Sequence, residues 1–120
     1  MKQSEFTKTL ATLTAEGIPF VVATVVKTEG GSLGKPGFKA VISARGDIIC
    51  GSLGGTCPES AITGIAKETI QSGVPKTVKV YLESVEDSVA AVVKGRKEDE
   101  IYVETNCGGA MTIFVEPYLA

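Results

Sequence analysis

The sequence predicts an α+β fold, in which a single domain has a mixed β-sheet with two to three helices packed on it. Segments rich in β-branched and aromatic residues alternate with segments whose apolar residues recur at helical spacing, and they follow the order αβββαβαββ along the chain. A length of 120 residues with 43% hydrophobic residues is sufficient for one buried core. We therefore expect one domain over residues 1–120.

The first half of the chain predicts one helix followed by three strands. Residues 4–16 place Phe6, Leu10 and Leu13 on one face of a helix, and Gly17 suits its C-terminal end. The first strand is nearly continuous in apolar character, which is typical of a buried central strand. The next two are separated by a short turn and form a predicted hairpin. The three predicted strands are residues 18–27, 38–44 and 47–50.

The second half opens with the clearest helix, residues 58–72. Its apolar stripe recurs at helical spacing, and Gly73 and Pro75 follow its end. A shorter helix over 84–93 is predicted from its capping pair, Ser84 and Asp87. The stripe consists of Ile62, Ile65, Ala66, Thr69 and Ile70, and the remaining predicted strands are residues 76–83, 101–104 and 111–116.

Composition excludes several classes of function. The chain has three cysteines and no histidine, so histidine-dependent catalysis and imidazole metal ligands are excluded. The odd number of cysteines favours free thiols over a disulfide framework. A net charge of -2 argues against nucleic-acid binding, and no apolar run reaches membrane-spanning length. Since the N-terminus lacks a signal-peptide pattern, we expect a cytoplasmic protein.

Three glycine-rich loops are the main functional signal. They are residues 30–37, 51–59 and 106–109, and the second leads from a predicted strand into the 58–72 helix. Such a junction collects unpaired backbone N–H groups at the positive end of a helix dipole, so Gly54, Gly55 and Thr56 could hold an anion. The alternative is a tight turn in which the glycines serve backbone geometry only. Three such loops in a short chain suggest one composite site.

The cysteines carry the possible thiol chemistry. Cys57 lies at the predicted helix start, where the dipole lowers the pKa of a thiol; alternatively it is a small buried residue. Cys107 lies in a turn beside Gly108 and Gly109, which allow another backbone or a ligand to approach closely. Cys50 ends a strand and is interpreted as a core residue.

Polar residues near the loops complete the candidate site. Glu59 in the first helical turn interacts favourably with the dipole whatever its function. Ser32 offers a hydroxyl group, and Lys35 and Lys39 could contact a phosphate or carboxylate, or could simply be solvated.

In this order, the loops resemble those of the xanthine dehydrogenase accessory factor (XdhC/CoxI) family. The resemblance covers residues 20–118, and its second and third loop motifs are Gly-Ser-Leu-Gly-Gly-Thr-Cys-Pro-Glu at 51–59 and Cys-Gly-Gly at 107–109. Further matching segments are residues 22–32, 36–39, 46–47 and 115–117.

The resemblance implies a chaperone that binds the molybdenum–pterin cofactor during maturation of molybdenum hydroxylases such as xanthine dehydrogenase or CO dehydrogenase, rather than a turnover enzyme. Its partners would be the apoenzyme and a separate Rossmann-domain subunit, because the family's second, Rossmann-like domain is not expected here. Cys57 and Cys107 would face the metal or its sulfur, since thiolates suit soft metals. The cofactor-binding residues would be Ser32, Lys35, Gly54, Gly55, Thr56, Cys57, Glu59, Cys107, Gly108 and Gly109.

Two departures from the family pattern keep other functions open. Ser-Leu-Gly-Lys at 32–35 replaces the usual Ser-x-Pro-Arg, and Gly-Gly-Thr at 54–56 replaces a triple glycine. The alternatives are a thiol enzyme that uses Cys57 on a phosphorylated or carbonyl substrate, and a subunit-interaction module without a ligand. A homodimer is also expected, because few helices are available to cover the apolar strands.

Overall fold

The computed structural model describes residues 3–30, 35–54, 56–83, 100–104 and 109–119. Within these ranges, it describes the backbone but not the side chains of residues 56–58, 60, 83 and 100–104. Two helices and six strands occur in these ranges, which confirms the predicted α+β class. The predicted helix over 84–93 lies outside the described residues. The elements are α1 (Gln3–Ala15), β1 (Phe20–Glu29), β2 (Lys39–Ser43), β3 (Ile48–Gly51), α2 (Thr56–Ser72), β4 (Lys76–Glu83), β5 (Glu100–Glu104) and β6 (Ala110–Tyr118).

The six strands form one mixed sheet in the order β3-β2-β1-β6-β4-β5. Neighbouring strands are antiparallel except for β4 and β5, which are parallel. β1 lies between β2 and β6, which confirms the predicted central strand, and β2 and β3 form the predicted hairpin. Almost continuous burial from Phe20 to Val25 follows from this central place, since both faces of β1 are covered there.

Helix α2 covers one face of the sheet, called here the α2 face. The predicted apolar stripe is the packing surface, because Ile62, Ala66 and Thr69 are buried. The Thr69 hydroxyl donates to the carbonyl of Ile65 at 2.7 Å, so its polar group is satisfied at a buried position. The strand residues of this core are Val21, Ala23, Val25, Ala40, Ile42, Val78, Val80, Leu82, Met111, Ile113 and Val115.

Helix α1 covers part of the opposite face, called here the α1 face. Phe6, Leu10 and Leu13 pack against a small cluster formed by Phe20, Val22 and Val41. These three helical residues are only half-buried, and α1 has no buried residue. The cluster belongs to β1 and β2, so α1 packs on that side of the sheet.

At one end of the sheet, called here the loop end, lie the strand ends to which the glycine-rich loops are attached. The pairing registers show that β1, β3, β4 and β5 run towards this end, whereas β2 and β6 begin there. The first loop therefore connects β1 to β2, the second leads from β3 to α2, and the third connects β5 to β6. In the described part of the chain, no helix combines the length and apolar character required to cross a bilayer.

Candidate functional site

Gly51 fixes the start of the second loop against the first residues of β2. Its φ of +84° is in the left-handed region, and a Cβ at this position would overlap the carbonyl oxygen of Lys39. The same carbonyl accepts a 2.9 Å hydrogen bond from the N–H of Ser52. Only glycine permits this close backbone contact, so the glycine at the end of β3 has a defined structural role.

Leu53 anchors the second loop in the core. Its side chain is completely buried and belongs to the α2-face cluster. Gly54 follows with a φ of +108°, a conformation that returns the chain towards the start of α2. This anchor was not predicted from the sequence, although an apolar residue among glycines and polar residues was the available signal.

Ser52 and Glu59 connect the loop to the first turn of α2. The Ser52 hydroxyl donates to Glu59 Oε2 at 3.2 Å and accepts from the N–H of Gly54 at 3.0 Å. Glu59 is thereby connected to the loop through Ser52. Its predicted role as a cofactor-binding residue stays a prediction.

Helix α2 begins at Thr56, two residues earlier than the sequence indicated. Pro58 is therefore the third helical residue rather than the first. Proline is tolerated there because N–H groups in the first turn have no intrahelical acceptor. Cys57 consequently lies inside the first turn and not beside the N-cap, so its backbone is still at the positive end of the helix dipole.

The described C-terminal part of the first loop is a type II turn. Pro36 occupies its second position, Gly37 has a φ of +95°, and the N–H of Phe38 donates to the carbonyl of Lys35 at 3.0 Å. The N–H of Gly37 and the carbonyl of Phe38 bond to the backbone of Val25 at 2.7 and 2.8 Å. Lys35 is exposed at the start of this turn.

The first and third loops touch at Gly30 and Gly109. A Cβ at Gly30 would be 2.9 Å from the Cα of Gly109, and both glycines have positive φ, +68° and +79°. The carbonyl of Gly109 accepts a 3.0 Å hydrogen bond from the N–H of Leu82. Close approach of the two backbones therefore requires glycine at Gly30.

The three loops form an elongated rather than a compact arrangement. Gly51 pairs with Ala40, which pairs with Ala23, six residues before Glu29 on β1. At the usual rise per strand residue, the start of the second loop is about 20 Å from the third loop along the strands. The first loop lies between these two points: it starts at Gly30, which contacts the third loop, and leads into β2, whose Lys39 contacts the start of the second loop.

Several predicted site residues lie outside the described residues. They are Ser32, Gly55, Cys107 and Gly108, together with the side chains of Thr56 and Cys57. Their roles, including metal contact by Cys57 and Cys107, stay predictions. Among the side chains that the structure describes, no group of three or more carboxylate, thiol or imidazole residues could hold a metal ion.

Cys50 and Lys39 line an open groove of about 950 Å³ between α1 and β3. Cys50 is half-buried and packs against the α1-face cluster. The ammonium group of Lys39 lies 5.5 Å from the centre of the Phe6 ring, a cation–π geometry. Lys39 is thus directed towards α1.

A charged cluster, called here the lysine pair, lies on the α1 face beside Gly30. Lys27 Nζ is 3.4 Å from Oε1 of Glu29, and Lys79 Nζ is 3.4 Å from Oε2 of the same carboxylate. Hydrogen bonds from Lys27 and then Lys79 lower the pKa of Glu29, whereas a hydrogen bond with Tyr81 is the main cause that raises the pKa of Lys79. This cluster was not predicted from the sequence, because Lys79 is 50 positions from Glu29 in the chain.

The fold and loops define a small α+β domain whose glycine-rich connections meet at one end of a mixed sheet. Residues 13–81 match the sequence model of the XdhC and CoxI family. Because this match covers more than half of the chain, the protein belongs to the XdhC and CoxI family, as the order of its loop motifs predicted.

A solved structure described as a xanthine dehydrogenase from Bacillus halodurans is similar to this chain. The TM-score is 0.66 and the sequences are 27% identical. The alignment covers 92% of this chain but 29% of that one, so the present chain spans less than a third of its relative. No curated protein matches the sequence.

Proposed function

We propose that this domain is an accessory factor that binds the molybdenum–pterin cofactor during maturation of molybdenum hydroxylases. The observation that carries the proposal is the placement of the three glycine-rich loops at the loop end, with contact between the first and third at Gly30 and Gly109, in a chain of the XdhC and CoxI family. The similarity to a protein described as a xanthine dehydrogenase supports molybdenum hydroxylases as the class of enzyme that this domain would assist.

The donor groups at the loop end suit this cofactor. The backbone N–H groups of Thr56 and Cys57 are in the first turn of α2, where they have no intrahelical acceptor and favour an anionic phosphate. Thiolates of Cys57 and Cys107 would be soft ligands for the metal or its sulfur. When bound, the cofactor supplies the redox chemistry of the target enzyme, and the domain supplies binding and protection.

The elongated arrangement favours an extended ligand. A pterin that carries a phosphate or nucleotide could contact the first turn of α2 at one end and the third loop at the other. The first loop, including Ser32 and Lys35, would lie along its length. A single small anion would use only one of these contacts.

Purification from bacterial strains with intact and blocked pterin-cofactor synthesis tests the proposal. We expect molybdenum and a fluorescent oxidised pterin to copurify with the protein only from the intact strain. Cys57→Ser and Cys107→Ser should lower the bound molybdenum several-fold, because each removes a soft ligand. Cys50→Ser is the matched control and should retain the cofactor, since Cys50 packs beside α1.

If the protein purified from the intact strain contains neither pterin nor molybdenum, the proposal is contradicted. Turnover of a phosphorylated or carbonyl substrate that is lost on alkylation of Cys57 would instead favour a thiol enzyme. If the protein from the intact strain and the protein from the blocked strain bind an apoenzyme with equal affinity, the result would favour an interaction module.

A further inference from the structure

The lysine pair is placed where the first and third loops meet. Glu29 is the last residue of β1, and Gly30, which touches Gly109, follows it directly. Lys27 precedes Glu29 by two strand positions, so their side chains lie on the same face. The pair is therefore at the base of two loops that the proposed function assigns to a ligand.

Small residues on β6 allow the lysine on β4 to reach across to β1. Thr112 pairs with both Lys27 and Lys79, and Ala110 pairs with Glu29. Lys79 and Glu29 are thus two strands apart, about 10 Å, a distance that a lysine side chain can cover only over small neighbours. Both carboxylate oxygens of Glu29 lie within 3.5 Å of Lys79 Nζ.

The charges of the cluster do not balance. Among the described side chains of the cluster, two ammonium groups share one carboxylate, so these three groups together carry one excess positive charge. The Glu29, Lys27 and Lys79 side chains are 44%, 67% and 33% exposed. Because exposed ion pairs of this kind are weak, an oxyanion from solution can compete with the carboxylate at little cost.

We propose that Lys27 and Lys79 bind an oxyanion of the phosphate monoester class and that the Glu29 carboxylate occupies this place until the ligand displaces it. The inference rests on the proposed function only in that the ligand is anionic. Glu29 is ionised at neutral pH, since both lysines lower its pKa. It therefore imitates the charge and the two-oxygen geometry of the incoming group.

A titration with inorganic phosphate and pyrophosphate at low salt tests this inference. Binding is measured from the changes in amide NMR chemical shifts during the titration. Glu29→Gln keeps the size of the side chain but removes its charge, and we expect about threefold tighter binding. Lys79→Met and Lys27→Met should each weaken binding several-fold, with shifts lost at Gly30 and Gly109.

The ion pair between Lys76 and Glu68 is the matched control. It has the same 3.4 Å separation but lies at the opposite end of β4, so Glu68→Gln and Lys76→Met should leave phosphate binding unchanged. Thermal melting should show that all variants are folded, and Lys79→Gln replaces Lys79→Met if the latter is not.

Unchanged or weaker binding by Glu29→Gln, or an equal gain by Glu68→Gln, would overturn the inference. Phosphate binding that responds as expected in a protein that never carries a pterin would contradict the proposed function alone. A pterin-loaded protein whose phosphate affinity ignores Glu29 would contradict this inference alone.

Discussion

At the residue scale, Gly51 leaves less room for a side chain than Gly30, Gly37, Gly46, Gly64 or Gly73. Its positive φ and its contact with the Lys39 carbonyl both require glycine, whereas a Cβ added at Gly64 in α2 would have no neighbour within 4 Å. Glycine is thus required by the backbone contact at Gly51 but not by any neighbour at Gly64. Only at Gly51 does it bring the start of the second loop against β2.

Gly51→Ala should therefore destabilise the protein. We expect a loss of at least about 2 kcal/mol in the free energy of unfolding, because the left-handed conformation and the overlap both act against a Cβ. Gly64→Ala is the control and should raise stability by about 0.5–1 kcal/mol, as in other helix interiors. Urea denaturation measures both changes, and equal effects would contradict this account.

The Ser52→Ala variant tests whether Ser52 orders the second loop, independently of its effect on the stability of the protein. Ser52→Ala removes its hydrogen bonds with Gly54 and Glu59, so exchange of the Gly54 amide with solvent should become faster. Stability should fall by only about 1 kcal/mol, since these bonds are exposed.

Ser72→Ala provides the matched control for Ser52. Its hydroxyl accepts from the N–H of Val74 at 3.2 Å, at the far end of α2. This variant should leave exchange at Gly54 unchanged, and faster exchange there would show that the effect of Ser52→Ala is not local.

At the element scale, the two helices differ in how firmly they are held. α2 buries Ile62, Ala66 and Thr69 against the sheet, whereas α1 has no buried residue and contacts the protein through three half-buried side chains. Burial of apolar area is the main stabilising contribution of an amphipathic helix. α1 should thus open locally without unfolding of the sheet.

Hydrogen exchange measured by mass spectrometry should show this difference. Amides of α1 should exchange at least about tenfold faster than amides of α2, because local opening requires the loss of fewer buried contacts. Leu10→Ala should accelerate exchange in α1 but not in α2. Equal protection of the two helices would contradict the assignment of α1 as a weakly held element.

At the scale of the whole molecule, the two described helices cover the two faces of the sheet unequally. α2 packs across the α2 face, but α1 packs on the β1–β2 side of the α1 face. On the remaining part, Phe114 is half-buried between Thr24 and Thr77, to which it is paired in the sheet. The expected homodimer would cover this area.

Sedimentation velocity tests the dimer. We expect a dimer that Phe114→Lys converts to a monomer, since a charge there would be buried against the partner. Val74→Lys is the control, because Val74 is exposed on the loop before β4 and is not part of a sheet strand. A monomeric parent protein at high concentration would show that the expectation is wrong.

The sequence alone determined the family and the order of the helices and strands that the structure describes. Apolar periodicity was sufficient for α2 and for β4, whose predicted bounds, residues 76–83, are those observed, because local residue patterns specify which side of an element is buried. The order of the glycine loops was sufficient for family membership. Tertiary structure alone decided which distant groups meet: the backbones of Gly30 and Gly109, and Glu29 between Lys27 and Lys79. Strand order and register control these contacts, and both depend on packing between segments that no local pattern encodes.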